Sequence, residues 1–413
     1  MKIVQVSTSD KGGAGIAAVR LHTALLHAGI DSTLLTKLRF TDDIPFHFQF
    51  NPRQNFINRA FKKLGLSEDV NKSSSEKHLA NRPKGYEYFS FPFSEMDLLQ
   101  HDAIKNADII HLHWVSDYFL DFPSFFKKIN KPVVWTLHDM NPFTGGCHHA
   151  DDCRGFMESC LECPQLKNTI DDSYAARVLA VKFNTLAEQP DLKMKIVTPS
   201  SWLMHESFHS VLFSRFQHKV IRNIIDVKKF TIQDKIKCRI KLKLPVDRKI
   251  IMFIANDIDN VRKGITYLKQ AMERVDAVLC GVGKNSSDVD FENFISVGYV
   301  SSEEQLAEIY NAADVFVLPS LAENFPNTIC ESLLCGTPVV AFDVGGIPEL
   351  INENNGRTAT LKNVNSLIAA IHEVLENPLE FNQEKIRYEA LEKFNTELVV
   401  KKHIDLYHSF PAE

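Results

Sequence analysis

The sequence predicts an α/β protein built from two Rossmann-like domains, and three observations carry that prediction. The chain has 413 residues, too many for one ordinary core and suited to two domains of roughly 200 residues each. Short β-rich runs alternate with amphipathic stretches along nearly its whole length, the rhythm of a parallel sheet covered by helices. Hydrophobic residues make up 44% and charged residues 24%, which fits a globular protein and neither a disordered chain nor a coiled coil.

In the first half, Lys2–Ser7, Ser32–Lys37, Ala107–His113, Pro132–Leu137 and Met194–Pro199 read as strands, and Ile16–Ala28 as the first helix. The second half repeats the rhythm, with strands at Lys249–Ala255, Ala277–Gly281, Phe294–Val297, Val315–Leu318 and Pro338–Phe342. Between them the strand and turn of Lys219–Phe230 lead into a basic helical stretch, Gln233–Leu244, which places a hinge near residues 222–246. The expected division is therefore an N-terminal domain of residues 1–222, a C-terminal domain of residues 223–395 and a terminal helix over 396–413. Leu398, Val399, His403, Leu406 and Tyr407 fall near helical spacing in that last segment.

A formal net charge of −5 offers no electrostatic ground for a nucleic-acid partner. No stretch approaches the roughly 18 to 20 apolar residues of a membrane span. The opening Met-Lys-Ile-Val-Gln-Val-Ser enters a strand-like pattern and not a signal peptide, so a cytoplasmic location is expected. Residues 51–84 break the rhythm with eight basic residues (Arg53, Arg59, Lys62, Lys63, Lys72, Lys77, Arg82, Lys84) against Glu68, Asp69 and Glu76. Phe56, Ile57, Ala60, Phe61 and Leu64 share one helical face there, the pattern of an interfacial helix. That predicts peripheral contact with an anionic membrane or lipid-linked acceptor; a solvated insertion is the plainer reading.

Four of the eight cysteines cluster: Cys147, Cys153, Cys160 and Cys163 form C-x5-C-x6-C-x2-C, with His148 and His149 adjacent. Four soft ligands within 17 residues suit a structural zinc site, with disulfides or free thiols as the other reading.

The segment Ala312–Ile351 carries the chemistry. It parses as strand, loop, helix, strand, turn, helix, with Pro326 in the first helical turn and Gly336 followed by Pro338 as the stop. A helix N-terminus beyond the carboxyl end of a strand is a site for a diphosphate. Glu323 precedes this helix and Glu331 lies within it, so one carboxylate can flank each side of bound phosphates and accept from sugar hydroxyls.

In this context Glu, seven residues, Glu, within PSLAENFPNTICESLLCGTPVVAFDVGGIPELI, resembles the signature of glycosyltransferase family four, the large retaining GT-B family. The resemblance implies two Rossmann-like domains facing a deep cleft and transfer of a hexose from a nucleoside diphosphate sugar. It assigns Glu323 to the donor sugar, Glu331 to the ribose, and the backbone of Asn324, Phe325, Pro326 and Asn327 to the diphosphate. The expected acceptor is a glycan or lipid-linked glycan in cell-surface polysaccharide assembly, such as capsule or lipopolysaccharide. A nucleotide-sugar epimerase on the same fold and a nucleotide-sugar-binding protein without turnover are the alternatives.

Ser9–Ala18 follows the first strand and opens the first helix. Gly13, Gly15 and Ala18 satisfy G-x-G-x-x-A, which raises a dinucleotide-binding oxidoreductase. That fingerprint wants an acidic residue ending the second strand, where Leu34-Leu35-Thr36-Lys37 stands. Gly12, Gly13 and Gly15 are therefore read as the family's glycine-rich loop near the donor phosphates. Asn260-Val261-Arg262-Lys263-Gly264 resembles its basic pair before glycine. Two cations there neutralise the leaving diphosphate, so no catalytic divalent metal is expected. The family's Arg directly after this strand is replaced by Asn256 and Asp257, which leaves Arg262 to substitute. Tyr299, in Val297–Val300, sits where the family's backbone contacts the base. In the first domain His138 matches the family's active-site histidine, and His111, His113, Trp114, Asp117 and Asp139 are acceptor-side candidates. The cysteine run resembles TGGC-H-aromatic runs in bacterial colanic-acid and capsule transferases, with His149 in the aromatic position.

Overall fold

In the computed structural model the described residues are 1–51, 77–80, 82–83, 86–166, 173–284 and 291–411. The chain divides into two compact units: Met1–Ile221 with Val400–Glu413, and Arg222–Val399.

In the first unit, β1 (Lys2–Ser9), β2 (Asp31–Leu38), β3 (His47–Gln49), β4 (Ile109–Leu112), β5 (Val133–Thr136), β6 (Met194–Thr198) and β7 (Gln217–Val220) form one sheet in the order β3-β2-β1-β4-β5-β6-β7. Every neighbouring pair is parallel. All four residues of β4 and of β5 are buried, the continuous burial of a parallel strand covered on both faces. The helices that cover it are α1 (Gly12–His27), α2 (Asp102–Asn106), α3 (Phe122–Lys128), α4 (Tyr174–Ala187) and α5 (Ser201–Phe208). Asp121, Ser173 and Ser200 cap the last three by accepting from Ser124 N, Ala176 N and Leu203 N. The core runs from Val4, Val6 and Ile110 to Trp135, Phe126 and Phe213.

In the second unit, α6 (Lys235–Lys241) precedes β8 (Ile250–Asp257), α7 (Ile265–Met272), β9 (Val278–Lys284), β10 (Phe294–Gly298), α8 (Glu303–Ala312), β11 (Val315–Leu318), α9 (Asn327–Leu334), β12 (Val339–Phe342) and β13 (Gly356–Ala359). Helices α10 (Val364–Glu376), α11 (Gln383–Lys393) and α12 (Thr396–His408) close the chain. The sheet is again all parallel, β10-β9-β8-β11-β12-β13. In both sheets the strand order reverses at one place, between β1 and β4 and between β8 and β11. Open α/β sheets receive ligands at the carboxyl ends of the strands flanking that reversal.

The end of α12 belongs to the first unit, where His403 and Tyr407 are buried. Strands β3 and β13 were not expected, because three or four residues are too short to show a period and β13 (Gly-Arg-Thr-Ala) has no apolar run. The interfacial helix read around Phe56–Leu64, with Arg53, Arg59, Lys62, Lys63 and Lys72, lies outside the described residues, as does Lys84. Arg82 is described: it donates to Glu87 O at 2.6 Å and Gln165 Oε1 at 3.0 Å, within the first unit.

Candidate functional site

In the second unit the loops after β8 and β11 are bound together, Leu321 N donating to Arg262 O at 2.7 Å. Their side chains converge as well. Glu323 Oε1 accepts from Arg262 Nη1 at 2.9 Å and from Lys263 Nζ at 2.5 Å, and Arg262 Nη1 also donates to Ala322 O at 2.8 Å. All three side chains are at least four-fifths buried, so these charges interact under weaker solvent screening than surface pairs do. The sequence placed the two cations on a diphosphate and Glu323 on a sugar; their mutual pairing needed the fold to become visible.

Two glycines hold this arrangement. Gly264 has φ of +72°, and a Cβ there would stand 1.9 Å from Pro319 O. Gly345 has φ of +59°, and a Cβ would stand 1.7 Å from Glu323 O. Only a residue without a side chain lets the turn after β12 press against the Glu323 backbone. Sequence reasoning passed over Gly345, although the Gly345-Gly346 pair after a strand was a signal for a close backbone approach.

Helix α9 starts at Asn327. Pro326 is its N-cap, with φ of −69° and ψ of 110°, one residue ahead of the first helical turn in which the sequence reading placed it. The shift follows from its extended ψ, while Gly336, at φ of +74°, ends the helix as expected. Glu331 is buried one turn in and accepts from Tyr310 Oη at 3.2 Å. Burial, and then the Glu331 carboxylate, raise the Tyr310 hydroxyl well above its usual range, which keeps it a neutral donor. The Phe325 ring packs edge-to-face on Phe394. Tyr299 is half exposed, with Lys284 Nζ over its ring at 5.8 Å.

In the first unit the turn from β1 into α1 needs Gly15, whose Cβ would meet Ser9 O at 2.5 Å, and Gly12, at φ of +75°. Nothing lies within 4 Å of a Cβ on Gly13. Strand β2 ends at Leu38, followed by Arg39, so the acidic partner of a dinucleotide fingerprint is absent there.

His138 and Asp139 follow β5 and line a cavity of about 20 Å³ with Trp114, Asn141 and Lys182. Asp139 Oδ2 accepts from His148 Nδ1 at 2.6 Å and Trp114 Nε1 at 2.8 Å, and its Oδ1 accepts from Asn141 N at 2.9 Å. Burial alone would raise this carboxyl; His148 and the Asn141 amide outweigh it, and its pKa is lowered. Asp117 sits at φ of +60° and accepts from Tyr88 Oη at 3.1 Å and Lys37 Nζ at 3.3 Å. Half-exposed Tyr88 tilts over Trp114, with ring centroids 6.1 Å apart, and was not foreseen because its segment shows no periodic pattern.

His111 requires a correction. It is fully buried, with Nδ1 on Tyr407 Oη and Nε2 on Thr136 Oγ1, both at 2.7 Å. Both ring nitrogens are occupied inside the protein, which removes it from the acceptor-contacting set. His113 is also buried, lines the same cavity and lies 3.1 Å from His138.

The four clustered cysteines carry free thiols and line one cavity of about 20 Å³ together with Phe89, Ala150 and Phe156. Burial and then the neighbouring thiols push Cys160 up to about 12, its bond to Gly145 pulling the other way. Among the described residues, no group of three or more histidine, cysteine or carboxylate side chains is placed to hold a metal ion. None of the described helices is long and apolar enough to cross a membrane.

Residues 248–377 match the family model described as glycosyl transferases group 1. The chain is 30% identical over 332 residues to an uncharacterized glycosyltransferase of Methanocaldococcus jannaschii, covering 74% of this chain and 76% of the relative. It is 26% identical over 276 residues to a putative colanic acid biosynthesis glycosyl transferase of Escherichia coli, covering 63% of this chain and 66% of the relative. In fold it is similar to sucrose-phosphate synthase from Thermosynechococcus elongatus, with a TM-score of 0.65 at 20% identity over 99% of this chain and 98% of that one. The HepE structure from Anabaena in complex with UDP and glucose also gives a TM-score of 0.65, at 17% identity over 99% and 100%.

Proposed function

Because the chain belongs to the group 1 glycosyltransferase family and has its GT-B fold, we propose that it moves a hexose from a nucleoside diphosphate sugar to a glycan or lipid-linked acceptor, with retention of anomeric configuration, in polysaccharide biosynthesis. The observation that carries the reading is the convergence of Glu323, Arg262 and Lys263 at the carboxyl ends of β8 and β11, beside the N-terminus of α9. A diphosphate laid on the Asn324–Asn327 backbone draws Arg262 and Lys263 from Glu323 and takes their charge as the sugar–phosphate bond breaks. Glu323, released from them, accepts from a hydroxyl of the transferred sugar. Glu331 takes the ribose hydroxyls, oriented by the Tyr310 bond. In the first unit the resemblance assigns His138 as the active-site histidine, with Trp114, Asp117 and Asp139 as the acceptor-side candidates. The HepE complex contains UDP and glucose, and a Campylobacter jejuni relative, 27% identical over 172 residues, is named as acting on a diphospho-undecaprenol acceptor; both fit this substrate class.

A thermal-shift panel of nucleotide sugars tests the donor, since a ligand of the folded state raises its stability. One nucleotide sugar is expected to shift the transition, and to release its nucleotide only when acceptor is added. No shift with any of them overturns the reading, and an isomerised donor without glycoside assigns the protein to epimerisation.

For the cysteine cluster the reading is a structural zinc ion, supported by the meeting of all four cysteines at one cavity. A zinc ion would displace the thiol protons and draw the four sulfurs into a tetrahedral shell. Metal content below a tenth of an equivalent in protein purified without chelator removes this reading. For residues 51–84 the reading is peripheral attachment to an anionic membrane, and liposome co-sedimentation unchanged by reversing their charges removes it.

A further inference from the structure

We propose that Tyr88 and Trp114 form an aromatic platform for an uncharged pyranose ring of the acceptor, with Asp117 as the carboxylate that receives one of its hydroxyls. Tyr88 is 48% exposed and lies on a stretch with no helix or regular strand. Its neighbours fix its place. Phe89 pairs with Cys147 in an antiparallel bridge, Ser90 N donates to Gly146 O at 3.0 Å, and Ser90 Oγ lies 2.7 Å from His148 Nε2. The Tyr88 ring centroid then stands 6.1 Å from that of Trp114 and 5.2 Å from that of His148, with Trp114 and His148 5.7 Å apart, so the three rings form one group.

Two carboxylates hold the polar edges of these rings, and they differ in what they have left to offer. Asp139 accepts from Trp114 Nε1, His148 Nδ1 and the Asn141 amide, and its side chain is only 12% exposed, which makes it a positioning residue for Trp114. Asp117 accepts from Tyr88 Oη through Oδ1 and from Lys37 Nζ through Oδ2, and keeps 35% of its side chain exposed. Each carboxylate oxygen accepts more than one bond, so Asp117 retains capacity for a ligand hydroxyl. Burial, and then Asp117, push the Tyr88 phenol up to about 12, which keeps it a neutral donor. Asp117 and Tyr118 both stand at positive φ, +60° and +55°, where a residue with a Cβ is disfavoured. Bonds from Lys37 Nζ to Asp117 O, Thr8 Oγ1 to Ser116 O at 2.8 Å and Ser94 Oγ to Tyr118 O at 2.7 Å hold that turn. Strain over-determined in this way gathers at ligand clamps.

The place in the fold suits a ligand. Trp114 and Asp117 follow β4, Lys37 lies in β2 and Thr8 in β1, so the group stands by the carboxyl ends of strands at the β1/β4 reversal. The chemistry selects a sugar. One face of a pyranose carries C–H bonds that are apolar and slightly positive, and the negative face of an aromatic ring complements them. Hydroxyls at its rim need acceptors, and Asp117 supplies one beside the rings. A phosphate is disfavoured by the same carboxylate, since Lys37 is already engaged with it. That the sugar is an acceptor rests on the function proposed above; the platform itself does not.

Saturation-transfer NMR with the methyl pyranosides of glucose, galactose, mannose and fucose reads the platform without any donor. At least one is expected to take saturation from the wild type and from Tyr88→Phe, which keeps the ring, and to lose about half of it or more in Tyr88→Ala. No signal from any of these sugars, or an equal signal in a folded Tyr88→Ala protein, overturns the proposal. With the pyranoside that binds as acceptor and the donor found by thermal shift, Tyr88→Ala is expected to raise the acceptor KM about tenfold while the donor KM stays within about twofold. Tyr88→Phe should bring the acceptor KM back to within about threefold of wild type. Equal rises in both KM values are the mark of a structural role and overturn the platform. Glycoside binding that is lost in Tyr88→Ala, in a protein that transfers sugar from no donor, upholds the platform and refutes the transferase reading alone.

Discussion

Replacing Gly345 by alanine tests whether the turn after β12 sets the position of Glu323. Two costs can be worked from the geometry. The backbone stands at φ of +59°, where a residue with a Cβ pays about 1 to 2 kcal/mol. The new Cβ would lie 1.7 Å from Glu323 O, against the 3.0 Å below which real Cβ contacts essentially do not occur. One side or the other must therefore move by over 1 Å, and the atom approached is backbone, which has no rotamer to swing aside. Displacing a reacting group by about 1 Å costs on the order of a hundredfold in rate, or about 3 kcal/mol of transition-state stabilisation. The assay is acceptor-dependent nucleotide release, with thermal unfolding in parallel. Gly29→Ala is the control, since Gly29 has φ of +76° with nothing within 4 Å of its Cβ. Gly29→Ala should lower the melting temperature and leave kcat unchanged, whereas Gly345→Ala should lower both. A Gly345→Ala enzyme within threefold of wild-type kcat would refute the reasoning.

Glu323→Ala should mainly lower kcat, because it leaves Arg262 and Lys263 without their carboxylate partner and the sugar without its acceptor; Glu331→Ala should mainly weaken donor binding. Equal, small effects on both, measured by steady-state kinetics and calorimetric donor titration, contradict the assignment. His403 is buried with Nδ1 unpartnered, and burial brings its pKa down to about 3 from 6.5. The unfolded chain then binds the proton more readily than the folded one, so stability present above pH 6.5 is lost as pH falls towards 3. His403→Leu should flatten the fall of melting temperature over that window. It should also cost little at pH 7.5, since it removes a buried polar atom that has no partner; a pH dependence identical to wild type would contradict this.

The legible part of the site was the part written in contiguous residues. The strand, the loop carrying Glu323, and the helix stopped at Gly336 are local features, each governed by burial period or backbone conformation. The illegible part joined residues far apart in sequence. The Glu323 bond to Lys263 spans 60 positions and the Gly345 contact 22, and His111 meets Tyr407 across 296. His111 shows the limit from the other side: in sequence it shares a strand end with His113, two residues away, yet its neighbours are Tyr407 and Thr136, and it is sealed from ligand.

The sequence by itself determined the two α/β domains, the family resemblance and the carboxylates and cations proposed for the site, because hydrophobic period, glycine and proline positions and motif spacing are properties of neighbouring residues. Tertiary structure alone decided which charge pairs with which, which histidines face a cavity and which glycine supports Glu323. Those outcomes depend on the strand order at the two sheet reversals, where parallel crossovers bring distant loop ends within hydrogen-bonding distance.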